Sequence, residues 1–147
     1  HGPRIRSGRG QGGTRGQVIV VDASVAVDVL LRTPGSEAAE ERIREDADSL
    51  HAPELIDVEV AQVLRRLVAH GGLYSSVAAQ TLDFLSAMPM TRHSHAPLLP
   101  RIWELRENVT AYHAAYVALA EALGATLVTR DKRLSKIPRS RVDIEVL

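Results

Sequence analysis

"NVTAYHAAYVALAEALGATLVTRD", residues 108–131, decides how the chain reads. Its first part is rich in alanine and leucine, the residues that lose least on entering a helix. Asn108 or Thr110 is expected to cap that helix and Gly124 to stop it, the helix itself running to about Ala122. "ATLVT", 125–129, is then a short apolar run of strand length, and Asp131 stands just past it. At ~100° per residue, Tyr112, Tyr116, Leu119 and Leu123 are expected to form the buried stripe, with His113 in the first turn on its shoulder.

The same alternation extends outward. "VIVVD", 18–22, is a β-branched run suited to a strand buried on both faces, and it too ends at an acid, Asp22. "ASVAVDVLLR" reads as a helix stopped by "TPG", 33–35, and a short helix begins at Ser36. "LHAP", 50–53, reads as a second strand, followed by a long helix over roughly 53–70 that "HGG" closes. A helix over 74–87, a strand in "MPMTRH", a helix over 97–107 containing Trp103 and an edge strand in "VDIEVL" complete the pass. Strands separated by helices imply a single α/β domain, a three-layer α/β/α arrangement with a mostly parallel central sheet.

Composition narrows the class. The chain has 147 residues, 45% of them hydrophobic, enough for one sizeable core. It contains no cysteine, which excludes disulfides and thiolate metal sites. No apolar run reaches the ~18 residues of a membrane span, and no secretory signal is visible, so a cytoplasmic protein with no membrane role is expected. The zero net charge conceals an asymmetry. Residues 1–17 carry four arginines and no acid, leaving fourteen basic side chains against eighteen acids over 18–147. That tail offers little apolar surface and is expected to be disordered, or a remnant unrelated to the fold.

In open parallel sheets the functional crevice lies outside the carboxyl ends of the strands. Asp22 and Asp131 both stand there, and they are neighbours if their strands are. Glu59 joins them from the long helix, on the shoulder of a stripe formed by Ile56, Val60, Val63 and Leu67. Gathered acids repel, and a hard divalent cation such as Mg²⁺ is their usual counterion. It takes oxygen ligands, lowers the pKa of bound water and holds a scissile phosphate. Taken singly, each acid is better read as a cap or a solvated side chain; taken together they favour a metal site. Asp22 as a phosphoryl-accepting nucleophile is the competing chemistry. It wants an acid two residues on, where this chain has Ser24, or a lysine close behind a late strand, which Lys132 and Lys136 do not supply. "GRGQGG" precedes the first strand rather than following it, so no phosphate-binding loop is indicated.

In this order and spacing, "VVDAS" at 20–24, "PELIDVEVAQVLRR" at 53–66, "NVTAYHAAYVALAEALGA" at 108–125 and "LVTRD" at 127–131 resemble the PIN domains, specifically the VapC ribonuclease toxins of bacterial toxin–antitoxin pairs. The resemblance covers residues 18–147. It implies an α/β/α domain, Mg²⁺ (or Mn²⁺) as cofactor, and cleavage of single-stranded RNA or tRNA loops. It also implies a homodimer and a VapB-like antitoxin that blocks the site. Asp22, Glu59 and Asp131 match the family's acids, while Ser24 and Thr129 match supporting polar positions. Where the family pattern has Asp, in "YDAAYVALAE", this chain has His113. Imidazole suits Mn²⁺, Zn²⁺ or Ni²⁺ better than Mg²⁺. His113 as a metal ligand and His113 as a bystander in an altered, weakened site both remain open.

With one Trp, one Phe and three Tyr, two of them assigned to the core stripe, an aromatic platform for bases is not expected. RNA contact is assigned instead to backbone electrostatics from Arg65, Arg66 and Arg92, and above all from Arg130, Lys132 and Arg133, which flank Asp131. Without metal, the acidic cleft is also a ready seat for an arginine from a partner.

Overall fold

The computed structural model describes residues 17–45, 49–138 and 140–147. The basic tail, Gln17 apart, lies outside the described residues. Five strands form one sheet: β1 (Ile19–Val21), β2 (Leu50–Pro53), β3 (Thr91–His93), β4 (Thr126–Thr129) and β5 (Ile144–Val146). Their order is β3-β2-β1-β4-β5, and all four pairings are parallel, so the sheet is wholly rather than mostly parallel. Ile19, Val20 and Val21 have no exposed surface, as a central strand covered on both faces requires.

Among the described residues six helices flank the sheet: α1 (Ala23–Leu31), α2 (Glu37–Glu45), α3 (Leu55–Ala69), α4 (Ser75–Ala87), α5 (Leu99–Glu104) and α6 (Ala111–Leu123). α1 packs on α2, α3 and α4, while α6 packs on α5 and lies over β1, β2 and β4. Among the described residues no helix is long and apolar enough to cross a membrane.

Several boundaries differ from the sequence reading for local reasons. Pro53 ends β2, and α3 starts two residues later. α1 closes at Arg32, which adopts the left-handed conformation at φ 50° and donates its N–H to Asp28 O, just ahead of "TPG". The helix expected over 97–107 divides into a 3₁₀ turn, Ala96–Leu98, and the short α5, each with a proline in its first turn.

The predicted stripe of α6 is corrected at its first member. Tyr112 is 61% exposed, whereas every residue from Ala114 to Ala120 is buried. The first turn stands clear of the sheet, so a stripe drawn from periodicity overruns the surface that buries it. Tyr116 and Leu119 are buried and Leu123 partly so. On α3 the buried line is Ile56, Val60 and Leu64, with Val63 and Leu67 half-buried.

Candidate active site

The sheet order places the site. After β1 the chain builds outward through β2 and β3, then returns to lay β4 against the other side of β1. The crevice between the ends of β1 and β4 is therefore the topological switch point. Val21 pairs with Val128 in the ladder, so Asp22 and Thr129 leave it side by side.

Asp22 is only 6% exposed, and its carboxylate collects three donors. Ser24 Oγ donates to Oδ1 at 2.5 Å, the Val25 N–H donates to Oδ1 at 3.2 Å as the N-cap bond of α1, and Thr129 Oγ1 donates to Oδ2. Burial pushes the carboxyl up from its ordinary value, against the lowering pull of these three bonds. The two hydroxyls also reach the next loop. Ser24 Oγ accepts the Arg130 N–H and Thr129 Oγ1 accepts the Asp131 N–H, both at 3.0 Å. Thr129 thus links the two acids that the sequence placed at the ends of separate strands.

Asp131 caps the 3₁₀ turn Lys132–Lys136. Arg133 grips it with its N–H (2.9 Å), Nε (3.0 Å) and Nη2 (2.8 Å), and these bonds hold the carboxyl below its ordinary value despite partial burial. The seat foreseen for a partner's arginine is filled from within the chain. The arginine lies mostly in solvent, its side chain 83% exposed, so its release costs little. His113 Nε2 stands 3.9 Å from Asp131 Oδ2. Thr110 caps α6 and accepts the His113 N–H, which fixes the histidine's backbone in the first turn.

Glu59, half-buried on α3, accepts a 2.6 Å bond from the hydroxyl of Tyr116 on α6. Burial first, then this bond, drives the phenol's pKa strongly upward, so Tyr116 acts only as a donor. The sequence assigned Tyr116 to packing. Its alignment with Glu59 is a side-chain bond between two helices whose residues stand 57 apart in sequence, which no local pattern encodes.

Among the described residues, no three His, Asp or Glu side chains are gathered tightly enough to hold a metal ion. The donor set nonetheless has the chemistry for one. Asp22 is a buried carboxylate with hydroxyl and amide donors but no bonded cationic side chain, and Oδ2 keeps an unused lone-pair position. Asp131 is held by a single exposed arginine, and Glu59 retains a second oxygen.

The basic residues expected at RNA divide. Arg130 pairs with Asp28 at 2.6 Å and bonds Gly35 O, and Arg92 is held by both oxygens of Asp57 and by Leu85 O. Arg65, Arg66 and Lys132 are exposed. Of the five aromatic residues only Tyr116 is fully buried. Tyr74, Phe84 and Trp103 join Tyr112 in being more than half exposed, because each sits on the outer side or the end of its helix.

Two cavities flank the first turn of α6. One, about 460 Å³, includes His113, Arg133, Arg106, Glu107 and Asn108 in its wall. The other, about 420 Å³, includes Glu59, Tyr112, Leu55, Val58 and Arg66.

The PIN domain model matches residues 19–140, a span that encloses every site residue above. The chain belongs to the PIN-domain family, among the VapC ribonucleases. It is 41% identical over 130 residues to ribonuclease VapC9 of Mycobacterium tuberculosis, covering 88% of this chain and 98% of that one. It is 38% identical over 136 residues to ribonuclease VapC12 of the same species, covering 88% and 99%. A solved VapBC2 structure from Rickettsia felis, bound to a promoter DNA fragment, shares the fold at TM-score 0.68 and 14% identity, covering 88% and 98%. The family resemblance drawn from the four motifs is borne out, and the wholly parallel, helix-flanked sheet agrees with it.

Proposed function

We propose that the chain is a metal-dependent endoribonuclease toxin that cuts RNA, tRNA among the candidate substrates, and is held inactive by a VapB-like antitoxin in the cytoplasm. The observation that carries this is the Asp22–Thr129–Asp131 hydrogen-bonded line at the switch point, in a chain of the VapC ribonuclease family. Asp22, Asp131 and His113 would hold Mg²⁺ or Mn²⁺. When bound, the ion supplies a water of lowered pKa and positive charge for the scissile phosphate. Ser24 and Thr129 keep both oxygens of Asp22 in place. Glu59, aimed by Tyr116, orients the attacking water and takes its proton. Arg133, once it leaves Asp131, is free to meet the RNA backbone together with Lys132.

A second reading has one specific observation behind it. His113, standing where the resemblance leads to an acid, lies 3.9 Å from Asp131 and on this reading leaves the site one negative charge short. On that reading the domain is a weakened nuclease that acts chiefly by binding antitoxin or RNA. The apolar cavity beside Glu59, bordered by Leu55, Val58 and Tyr112, suits an apolar antitoxin segment. The exposed Tyr74, Val77 and Phe84 of α4 suit the face of a homodimer. Titrating Mg²⁺ and Mn²⁺ into an RNA cleavage assay separates the readings. Metal-dependent cleavage supports the first, and tight antitoxin binding without cleavage supports the second.

A further inference from the structure

Outside the acids, the cavity on the His113 side of α6 has no assigned role, although it shares His113 and Arg133 with the site. At about 460 Å³ it falls within the ~300–1,000 Å³ typical of small-molecule pockets. Its polar wall is mixed. Arg106 brings only donors, Glu107 only acceptors, and Asn108 both. A phosphate would be repelled by Glu107, whereas the edge of a nucleobase presents donors and acceptors side by side. Arg106 is also held in place. Its guanidinium carbon lies 4.6 Å from the centroid of the Trp103 ring, and its Nη1 donates to Trp103 O at 2.9 Å. Trp103 itself is 67% exposed, so it is not there to fill the core. A guanidinium steadied over an indole is a stacking surface for a base.

We propose that this cavity, walled by Arg106, Glu107 and Asn108, is a subsite for one unpaired nucleobase of the RNA, next to the phosphate being cut. The assignment rests on the ribonuclease reading and adds to it a part that chooses where the strand is cut. Arg133 joins the two regions, with its guanidinium on Asp131 and its side chain in the cavity wall. Binding a strand across both would draw Arg133 off the acid.

The test uses the full chain and two substrates: a randomised single-stranded RNA, and bis(p-nitrophenyl) phosphate, a diester with no base. Arg106→Ala and Asn108→Ala should each raise KM for the RNA by roughly tenfold, the loss expected for one base contact. Glu107→Gln should change which nucleotide is preferred beside the cut. All three should hydrolyse the aryl diester at the wild-type rate. Wild-type KM and cut-site preference in all three variants would overturn the proposal. So would a parallel fall on both substrates, which would place these residues in the general machinery or the fold. A wild-type chain that cleaves no RNA while the aryl diester or a metal titration is likewise silent would overturn the ribonuclease reading itself, and the subsite with it.

Discussion

His113 Nε2 lies 3.9 Å from Asp131 Oδ2, so the histidine proposed as a metal ligand faces an acid proposed as another. If the imidazole stands in for a ligating carboxylate, His113→Asp should tighten Mg²⁺ binding on the order of tenfold and narrow the preference for Mn²⁺ over Mg²⁺. A second carboxylate beside Asp131 should also lower the melting temperature without metal, and saturating Mg²⁺ should restore it. Calorimetric titration of both ions into both proteins reads this directly. Equal Mg²⁺ affinity would make His113 a packing residue only.

Tyr116→Phe removes one hydroxyl and keeps the buried ring. The cost to stability should be about 1 kcal/mol, the usual worth of a hydrogen bond. The cost to catalysis should fall on kcat, by roughly tenfold, with KM for RNA unchanged, because what is lost is the aim of Glu59 rather than substrate contact. Combined with Glu59→Gln, the effect should be much less than additive. Additive losses in kcat would assign the tyrosine to the core alone.

β1, β4 and the ends of α6 depend on local runs, caps and the Gly124 stop, and they stand where those signals put them. The nearness of Asp22 to Asp131 follows once β1 and β4 are neighbours, and the strand–acid repeat anticipated that. Tyr112 escaped because the 3.6-residue period says which residues share a face, not how far the covering sheet extends. The Tyr116–Glu59 bond and the Arg133 grip on Asp131 escaped for different reasons. The first spans 57 residues of sequence, and the second is one choice among many for a long exposed side chain. Trp103 and Arg106 lie three residues apart, a spacing that allowed their contact. What could not be read was that α5 turns Ile102 to the core and leaves the indole outside.

A stability signature lies between β2 and β3. His51 Nδ1 and His93 Nε2 are 2.9 Å apart, and burial, then the neighbouring His93, hold His51 below its ordinary value of 6.5. The unfolded chain therefore binds this proton more readily than the folded one. The contribution is intact above pH 6.5 and is lost as pH falls below it toward the folded value. Glu121, held below 4.5 by Arg101 and the Arg141 N–H against its own burial, adds a loss only in a more acidic window. Urea unfolding between pH 7.5 and 5.5 should show falling stability in wild type and a flatter profile in His51→Asn. Identical slopes would remove the histidine pair as the cause.

Asp22 is proposed as the buried acid around which cleavage is organised. Asp22→Asn keeps the shape and the capping oxygen of α1 but removes the charge that would face a cation. The decisive measurement is the initial rate of RNA cleavage by purified wild type and Asp22→Asn, titrated with Mn²⁺ and Mg²⁺, with circular dichroism confirming that both are folded. Wild type should show metal-dependent cleavage, and the folded variant a loss of about a hundredfold or more. Metal-dependent cleavage by Asp22→Asn at the wild-type rate would contradict this role of Asp22.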